Sequence, residues 1–271
     1  MRYRYLSDSH CHTDCSFDGR DSAMMLCDSA VRQGLFSLTV TDHCECNEYW
    51  EKGYDRAMLQ SYFEARKAAA AFRGRLHVRA GIELGQPLQD RAAAENALSL
   101  CDYDFVLASL HNVAGAPDFY DLDYATCDIR ALLHRYFEEM LEMVRWGKFD
   151  SLAHLTYPWR YTGGEHNDLR ISYEPYRQQI DAVLQELIRQ DKCLEVNTSG
   201  LRQRIGTTLP DRPILQRYRE LGGRLVTLGS DAHRWGDVGS GIEDGLRLLE
   251  QLGFSRFAVY TGRRPELYPI S

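Results

Sequence analysis

Short apolar or β-branched runs recur along the chain at Arg4 to Ser9, Ser37 to Thr41, Leu76 to Ile82, Phe105 to Leu110, Ser151 to Ala153, Lys192 to Val196 and Leu225 to Leu228. Runs this short read as strands. Between them the apolar spacing changes to three and four. Tyr176, Ile180, Val183 and Leu187 mark one helix, with Ser172 as its expected N-cap. A second begins at Pro213, a good first-turn residue, buries Ile214, Tyr218 and Leu221, and stops at the Gly222-Gly223 pair. A third runs from Asp21 or Ser22 to Gly34. Strand then helix, seven times over, implies parallel strands covered by helices, in either a barrel or an open doubly wound sheet. An open sheet binds ligands mainly at one switch point, whereas a barrel gathers them from every strand end.

The residues at the strand ends are of one chemical kind. They are His10 and His12, Asp42 and His43, Glu83, His111, His154, Glu195 and Asn197, and finally Asp231 and His233. Six of the nine histidines fall there; His77, His134 and His166 read as structural or surface residues. Residues two apart on an extended strand point the same way, so His10 and His12 can face one point, and Asp231 with His233 repeats the device. Imidazole with carboxylate and no thiolate suits zinc, manganese or iron, whereas calcium prefers an oxygen-only shell.

Composition adds exclusions. The 271 residues are 44% hydrophobic and 26% charged, ordinary globular values that exclude disorder, collagen and coiled coil. Lys plus Arg total 32 against 39 Asp plus Glu, a net charge of −7, which disfavours a non-specific nucleic-acid binder. No apolar run approaches the roughly 18 residues that span a bilayer, so no membrane partner is expected. The opening MRYRYLSDSHCH lacks the apolar stretch of a secretory signal, so the expected location is the cytoplasm. Eight cysteines without a CxxC pair read as thiols rather than a zinc cage or staples. With no linker, low-complexity stretch or short-period repeat, residues 1–271 are expected to form a single domain. The long connections Cys44 to Arg56, Asn112 to Cys127 and Tyr157 to Ile171 are the kind that build a site.

The segments HCHTDCSFDG, TVTDH, GIE, SLHN, LAHL, EVN and GSDAH, in this order, resemble the PHP family, the polymerase and histidinol phosphatase superfamily. The resemblance implies a distorted seven-stranded (β/α) barrel holding three divalent metal ions at its C-terminal mouth. By resemblance, His10, His12, Glu83 and Asp231 correspond to the ligands of the first metal. Glu83 would bridge to a second held with His111 and His154, and Asp18 would join His43 and His233 around a third. Asp18 stands where some members carry histidine, and an Asp before Gly is also a common turn former. Asp42 reads equally as a partner that orients a ligand imidazole, and Asp14 as a cap. Within the superfamily, the chain's length, the helical insertion after His43 and TYPWRY after His154 are most similar to histidinol-phosphate phosphatases.

Three divalent cations against Glu83, Asp231 and Asp18 would leave the mouth positive. That favours a small phosphorylated substrate and a metal-activated water as nucleophile, with Asp231 and His233 in catalytic positions. Arg160 in WRY is expected to clamp two phosphate oxygens, with Arg202 and Arg204 as second candidates. Glu195 and Asn197 are candidates for substrate recognition or for hydrogen-bonded support of the ligands. Asp118 and Asp121 lie in a loop from Pro117 to Tyr124 that interleaves acids with aromatics, which suits a cationic leaving group such as that of L-histidinol phosphate. Two rival readings share the ligands: a nucleotide or oligonucleotide phosphoesterase, and a non-catalytic metal-binding protein.

Overall fold

The seven expected strands form and lie parallel, in the order β1 (Ser7–Cys11), β2 (Ser37–Val40), β4 (His77–Gly85), β5 (Phe105–Ser109), β6 (Ser151–Leu152), β7 (Cys193–Asn197) and β8 (Val226–Gly229). An eighth piece, β3 (His43–Glu45), continues the line of β2 after a break at Thr41 and Asp42, and pairs with β4 in the register His43 to Glu83. A computed structural model describes residues 3–162 and 171–271, so His166 and the centre of the Tyr157 to Ile171 connection lie outside the described residues. The strands are buried along nearly their whole length, as a parallel sheet covered by helices requires.

The covering helices are α1 (Ala23–Arg32), α2 (Tyr49–Lys52), α3 (Tyr54–Ala71), α4 (Arg91–Leu100), α5 (Ile129–Trp146), α6 (Trp159–Thr162), α7 (Arg177–Arg189), α8 (Arg212–Glu220) and α9 (Ile242–Gln251). Local chemistry sets their starts. Ser22, Asp90, Asp128 and Asp211 each accept a hydrogen bond from a first-turn amide of α1, α4, α5 and α8. In α8, Pro213 occupies the first turn as expected, and Ile214, Leu215 and Tyr218 are buried, whereas Leu221 is only half-buried. Ser172 does not cap α7. Pro175 opens a short 3₁₀ turn over Glu174–Tyr176, and α-helical bonding begins only after it.

The seven parallel strands make a nearly closed α/β barrel. Its distortion sits between β1 and β8, where the described residues form one isolated bridge, from Cys11 to Ala232 just past the end of β8. There the Asp8 carboxylate replaces missing ladder bonds. It accepts from the Ser230 amide (2.8 Å), the Ser230 hydroxyl (2.5 Å) and the Gly239 amide (2.8 Å). The other end of the barrel has a floor that the strand pattern did not foretell, the antiparallel hairpin of β9 (Arg256–Thr261) and β10 (Arg264–Pro269). Ala258 and Tyr260 of β9 pack against Phe105, Leu107, Ala153 and Cys193, and Arg263 pairs with Asp150. With the N-terminal ends plugged, the C-terminal mouth is where side chains can meet a ligand.

Candidate metal centre

The strand-end residues converge at that mouth. His10 and His12, fully buried, bring their Nε2 atoms to 3.0 Å of each other. Glu83 of β4, also fully buried, turns one oxygen to each side. Its Oε2 lies 3.4 Å from His10 Nε2, 3.5 Å from His12 Nε2 and 2.9 Å from His43 Nδ1. Its Oε1 lies 3.0 Å from His154 Nε2 and 3.3 Å from His111 Nε2. Asp231 Oδ1 is 3.5 Å from His12 Nε2 and 3.7 Å from His10 Nε2. At the outer edge Asp18 Oδ2 is 3.0 Å from His233 Nε2, and its Oδ1 is 3.7 Å from His43 Nε2. The His12 ring stacks against both His43 and His233 at 4.2 Å between centroids. All nine residues expected as ligands therefore stand together, and His12 belongs by geometry to the outer group as well as the inner one.

The donor set fits divalent cations. Four triads of ligand atoms lie within 4.8 Å of one another: His12, His43 and His233; His10, His12 and Glu83; His10, His154 and Asp231; His43, Glu83 and His111. Among the described residues, Glu83 Oε2, His43 Nδ1 and His154 Nδ1 are buried without a hydrogen-bond partner. Glu83 Oε2 and His43 Nδ1 are 2.9 Å apart but misaligned for a hydrogen bond. Buried polar atoms left this way are costly, and a cation bound by Glu83 would satisfy its unpartnered Oε2.

Electrostatics point the same way. Burial alone would push His10, His43 and His111 toward the neutral form, but the surrounding carboxylates, Glu195, Glu83 and Glu45 foremost, hold all three well above the usual imidazole range. His12 and His154, where burial wins, fall below it. Burial raises the Asp18 carboxyl, yet His233 and His43 outweigh it and hold the group at about 2. The carboxylates that favour imidazolium would equally attract a divalent cation, which would compete with those protons.

Strand β7 supplies partners that orient the ligands. Glu195 Oε1 lies 2.7 Å from His10 Nδ1, and its Oε2 accepts from the His154 amide at 2.7 Å and from Asn197 Nδ2 at 3.1 Å. Asn197 Nδ2 also reaches Asp231 Oδ2 at 3.3 Å, while its Oδ1 holds Ser199. Both side chains are buried and hydrogen-bonded to His10, His154 and Asp231, the arrangement that the supporting role, one of the two readings open for them, requires. The spacing is tight, since a Cβ at Gly229 would lie 2.3 Å from His10 Cβ and 2.4 Å from Glu195 Oε1. Asp42 is not within reach of the cluster. It accepts from Thr13, Ser16 and Ser61, and Ser16 Oγ in turn lies 3.2 Å from His12 Nδ1.

Arg160 of α6 sits against the cluster, with one terminal nitrogen 2.6 Å from Asp231 Oδ2 and 2.8 Å from Ser199 Oγ. Its buried Nε has no partner among the described residues. Arg202, in contrast, is consumed by backbone: it donates to the carbonyls of Ser230 (2.7 Å) and Asp231 (2.8 Å). Those bonds hold Asp231 at φ +54°, a left-handed conformation that costs a non-glycine residue about 1–3 kcal/mol. Arg204 is exposed. Asp118 caps a 3₁₀ turn, with Oδ1 accepting from the Tyr120 amide (2.7 Å) and the Tyr157 hydroxyl (2.9 Å). The Tyr157 ring lies 4.8 Å from His111 and 5.1 Å from His154, so Asp118 borders the centre. Asp121 does not. It is exposed and makes no hydrogen bond or ion pair to a site residue among those described.

Sequence reasoning missed Glu45 and Gln86. Glu45 lies 3.1 Å from His111 Nδ1 and 3.2 Å from His43 Nδ1, and Gln86 Nε2 donates to it at 2.7 Å. The signal was present, because His43 and Glu45 are two apart like His10 and His12.

An α/β barrel with a mouth of imidazoles and carboxylates defines a protein with a divalent-metal site at its strand ends. The chain belongs to the PHP domain family, whose match spans residues 8–199. It is 30% identical over 245 residues to a probable histidinol-phosphatase of Clostridium acetobutylicum, covering 90% of this chain and 92% of that protein. It is 26% identical over 261 residues to the histidinol-phosphatase of Lactococcus lactis subsp. lactis, covering 95% of each. Among solved structures, histidinol phosphate phosphatase from Lactococcus lactis, complexed with zinc, L-histidinol and phosphate, superposes with a TM-score of 0.78 at 23% identity. That likeness covers 96% of this chain and 98% of that one, and shows the shared fold.

Proposed function

We propose that this protein is a metal-dependent phosphomonoesterase, a single PHP domain over residues 1–271, that hydrolyses L-histidinol phosphate to L-histidinol and phosphate. The observation that carries the reading is the similarity over 90% of the chain to a relative named as a histidinol-phosphatase. The ligand set supports it: His10, His12, Asp18, His43, Glu83, His111, His154, Asp231 and His233 would hold three divalent ions, zinc, manganese or iron. Such ions bind phosphoryl oxygens and lower the pKa of water toward neutrality. Around them the chain's own groups have distinct tasks. Arg160 offers its unpaired Nε edge to a phosphate oxygen while Asp231 fixes its other nitrogen. Glu195 and Asn197 keep His10 and Asp231 aimed. Among the described residues, no helix is long and apolar enough to cross a membrane.

Asp118 is the residue we assign to the leaving group. Burial raises its carboxyl, and its position beside the rings of Tyr157, Tyr161 and Tyr120 suits an ammonium or imidazolium, each contact contributing about 0.5–2 kcal/mol. The test is a panel of phosphomonoesters assayed with zinc, manganese and iron. L-histidinol phosphate should exceed glycerol phosphate and a nucleoside monophosphate in kcat/KM. Asp118→Asn should lower that value about tenfold for L-histidinol phosphate and leave glycerol phosphate nearly unchanged. Equal efficiency across the panel removes the substrate, and turnover of nucleotides or single-stranded DNA ahead of it replaces the reading.

A further inference from the structure

Strand β3 was not foreseen, and it brings a carboxylate to the back of two imidazoles. In the register of β3 on β4, His43 lies opposite Glu83 and Glu45 opposite Gly85. Glu45 is buried, and its Oε1 lies 3.1 Å from His111 Nδ1 and 3.2 Å from His43 Nδ1. The other nitrogens of those rings face different partners. His111 Nε2 lies 3.3 Å from Glu83 Oε1, and His43 Nε2 lies 3.7 Å from Asp18 Oδ1. One carboxylate thus stands within hydrogen-bond distance of His111 Nδ1 and lies beside His43 Nδ1, which is also 2.9 Å from Glu83 Oε2 and makes no aligned hydrogen bond.

Its seat is built for it. A Cβ on Gly85 would fall 2.2 Å from Glu45 Oε2, so only glycine leaves room for the carboxylate. The next residue, Gln86, is held at φ +48° with its amide bonded to the Ser109 carbonyl at 3.0 Å. That strained backbone directs Nε2 onto Glu45 Oε2 at 2.7 Å, while Oε1 accepts from the His111 amide at 3.3 Å.

We infer that Glu45, seated by Gly85 and Gln86, is a positioning residue shared by two metal subsites, the one containing His111 and the one containing His43. A carboxylate at the rear nitrogen of a ligating imidazole fixes ring orientation and tautomer and raises basicity; its loss typically costs 10–100-fold in metal affinity. Here a single loss falls on two ions and spares the one served by His10, His12 and Asp231, whose imidazoles lean on Glu195 and Ser16 instead. The inference rests on the metal reading proposed above.

The experiment titrates metal-free protein with zinc against a chromophoric chelator, and counts bound zinc by elemental analysis. Wild type should bind three equivalents. Glu45→Gln should weaken two of them by about 10–100-fold and leave the third unchanged. Gln86→Met should act in the same direction with a smaller effect, and should add little on top of Glu45→Gln, because it works through that carboxylate. Circular dichroism checks that each apoprotein folds. A merely structural role would lower melting temperature without selecting two ions of three. If wild type itself binds no zinc, the metal reading fails rather than this one. Wild-type affinity at all three positions in Glu45→Gln, or weakening at one position only, overturns the shared role. If Glu45→Gln does not fold, unaltered zinc binding by Gln86→Met overturns it.

Discussion

Glu83→Gln is expected to strip metal and nearly all turnover in one step. Glu83 is fully buried at the centre of the cluster, and its two oxygens lie within 3.5 Å of five imidazoles: His10, His12 and His43 on one side, His111 and His154 on the other. Glutamine keeps the shape but removes the charge, and it points an NH2 group where a lone pair is needed. Bound metal should fall from three equivalents to one or fewer, measured by elemental analysis of protein purified without chelator. A metal ion contributes several kcal/mol of transition-state charge stabilisation, and each 1.36 kcal/mol is a factor of ten, so kcat/KM for L-histidinol phosphate should fall at least about 10³-fold. Added zinc should not restore it. Retention of three equivalents with turnover within tenfold of wild type would break the bridging assignment.

Much of this site was legible because a strand has a period of two. His10 and His12 share a face for that reason; Asp231 and His233 also meet, at 3.6 Å, but they lie past the end of β8 and Asp231 is left-handed rather than extended. The pattern failed where the strand itself was hidden. The run from Ser37 was expected to stop at Thr41, since Asp42 and His43 are polar, yet the chain resumes pairing with β4 at His43 and brings in Glu45. The roles of Glu195 and Asn197 were open for a different reason. Spacing tells which way a carboxylate points, but whether it meets a cation or the back of an imidazole depends on a few ångströms of barrel radius. Packing sets that distance, and Gly229 shows how little slack there is. The floor hairpin was missed because Phe257 to Tyr260 form another short apolar run with no ligand residue at its end. Its partner β10 is mostly exposed, so it lacks the apolar signal of a buried strand.

Arg160→Lys should separate charge from geometry at the proposed phosphate clamp. One terminal nitrogen of Arg160 already serves Asp231 and Ser199, which leaves the buried, unpartnered Nε as a donor for an incoming oxygen. Its guanidinium also lies over the Tyr157 ring at 5.1 Å, and this contact fixes the plane of the fork. A hydrogen bond to a charged partner is worth about 1.5–3 kcal/mol. Removing Arg160 as Ala forfeits such a bond to phosphate and leaves Asp231 Oδ2 short of its strongest partner, so kcat/KM should fall about 10²–10³-fold. Lysine restores a point charge but can satisfy Asp231 or the phosphate, not both at fixed angles. Its loss should remain at least about tenfold, with competitive inhibition by inorganic phosphate weakened in parallel. Selectivity should shift too. A monoester presents more non-bridging oxygens to Arg160 and the cluster than a diester does, so the ratio of monoester to bis-aryl phosphate hydrolysis should drop in both variants. Steady-state kinetics on the two substrate types, with phosphate as inhibitor, decide the matter. If Arg160→Lys matches wild type in phosphate inhibition and in that ratio, Arg160 serves only to hold Asp231 in place.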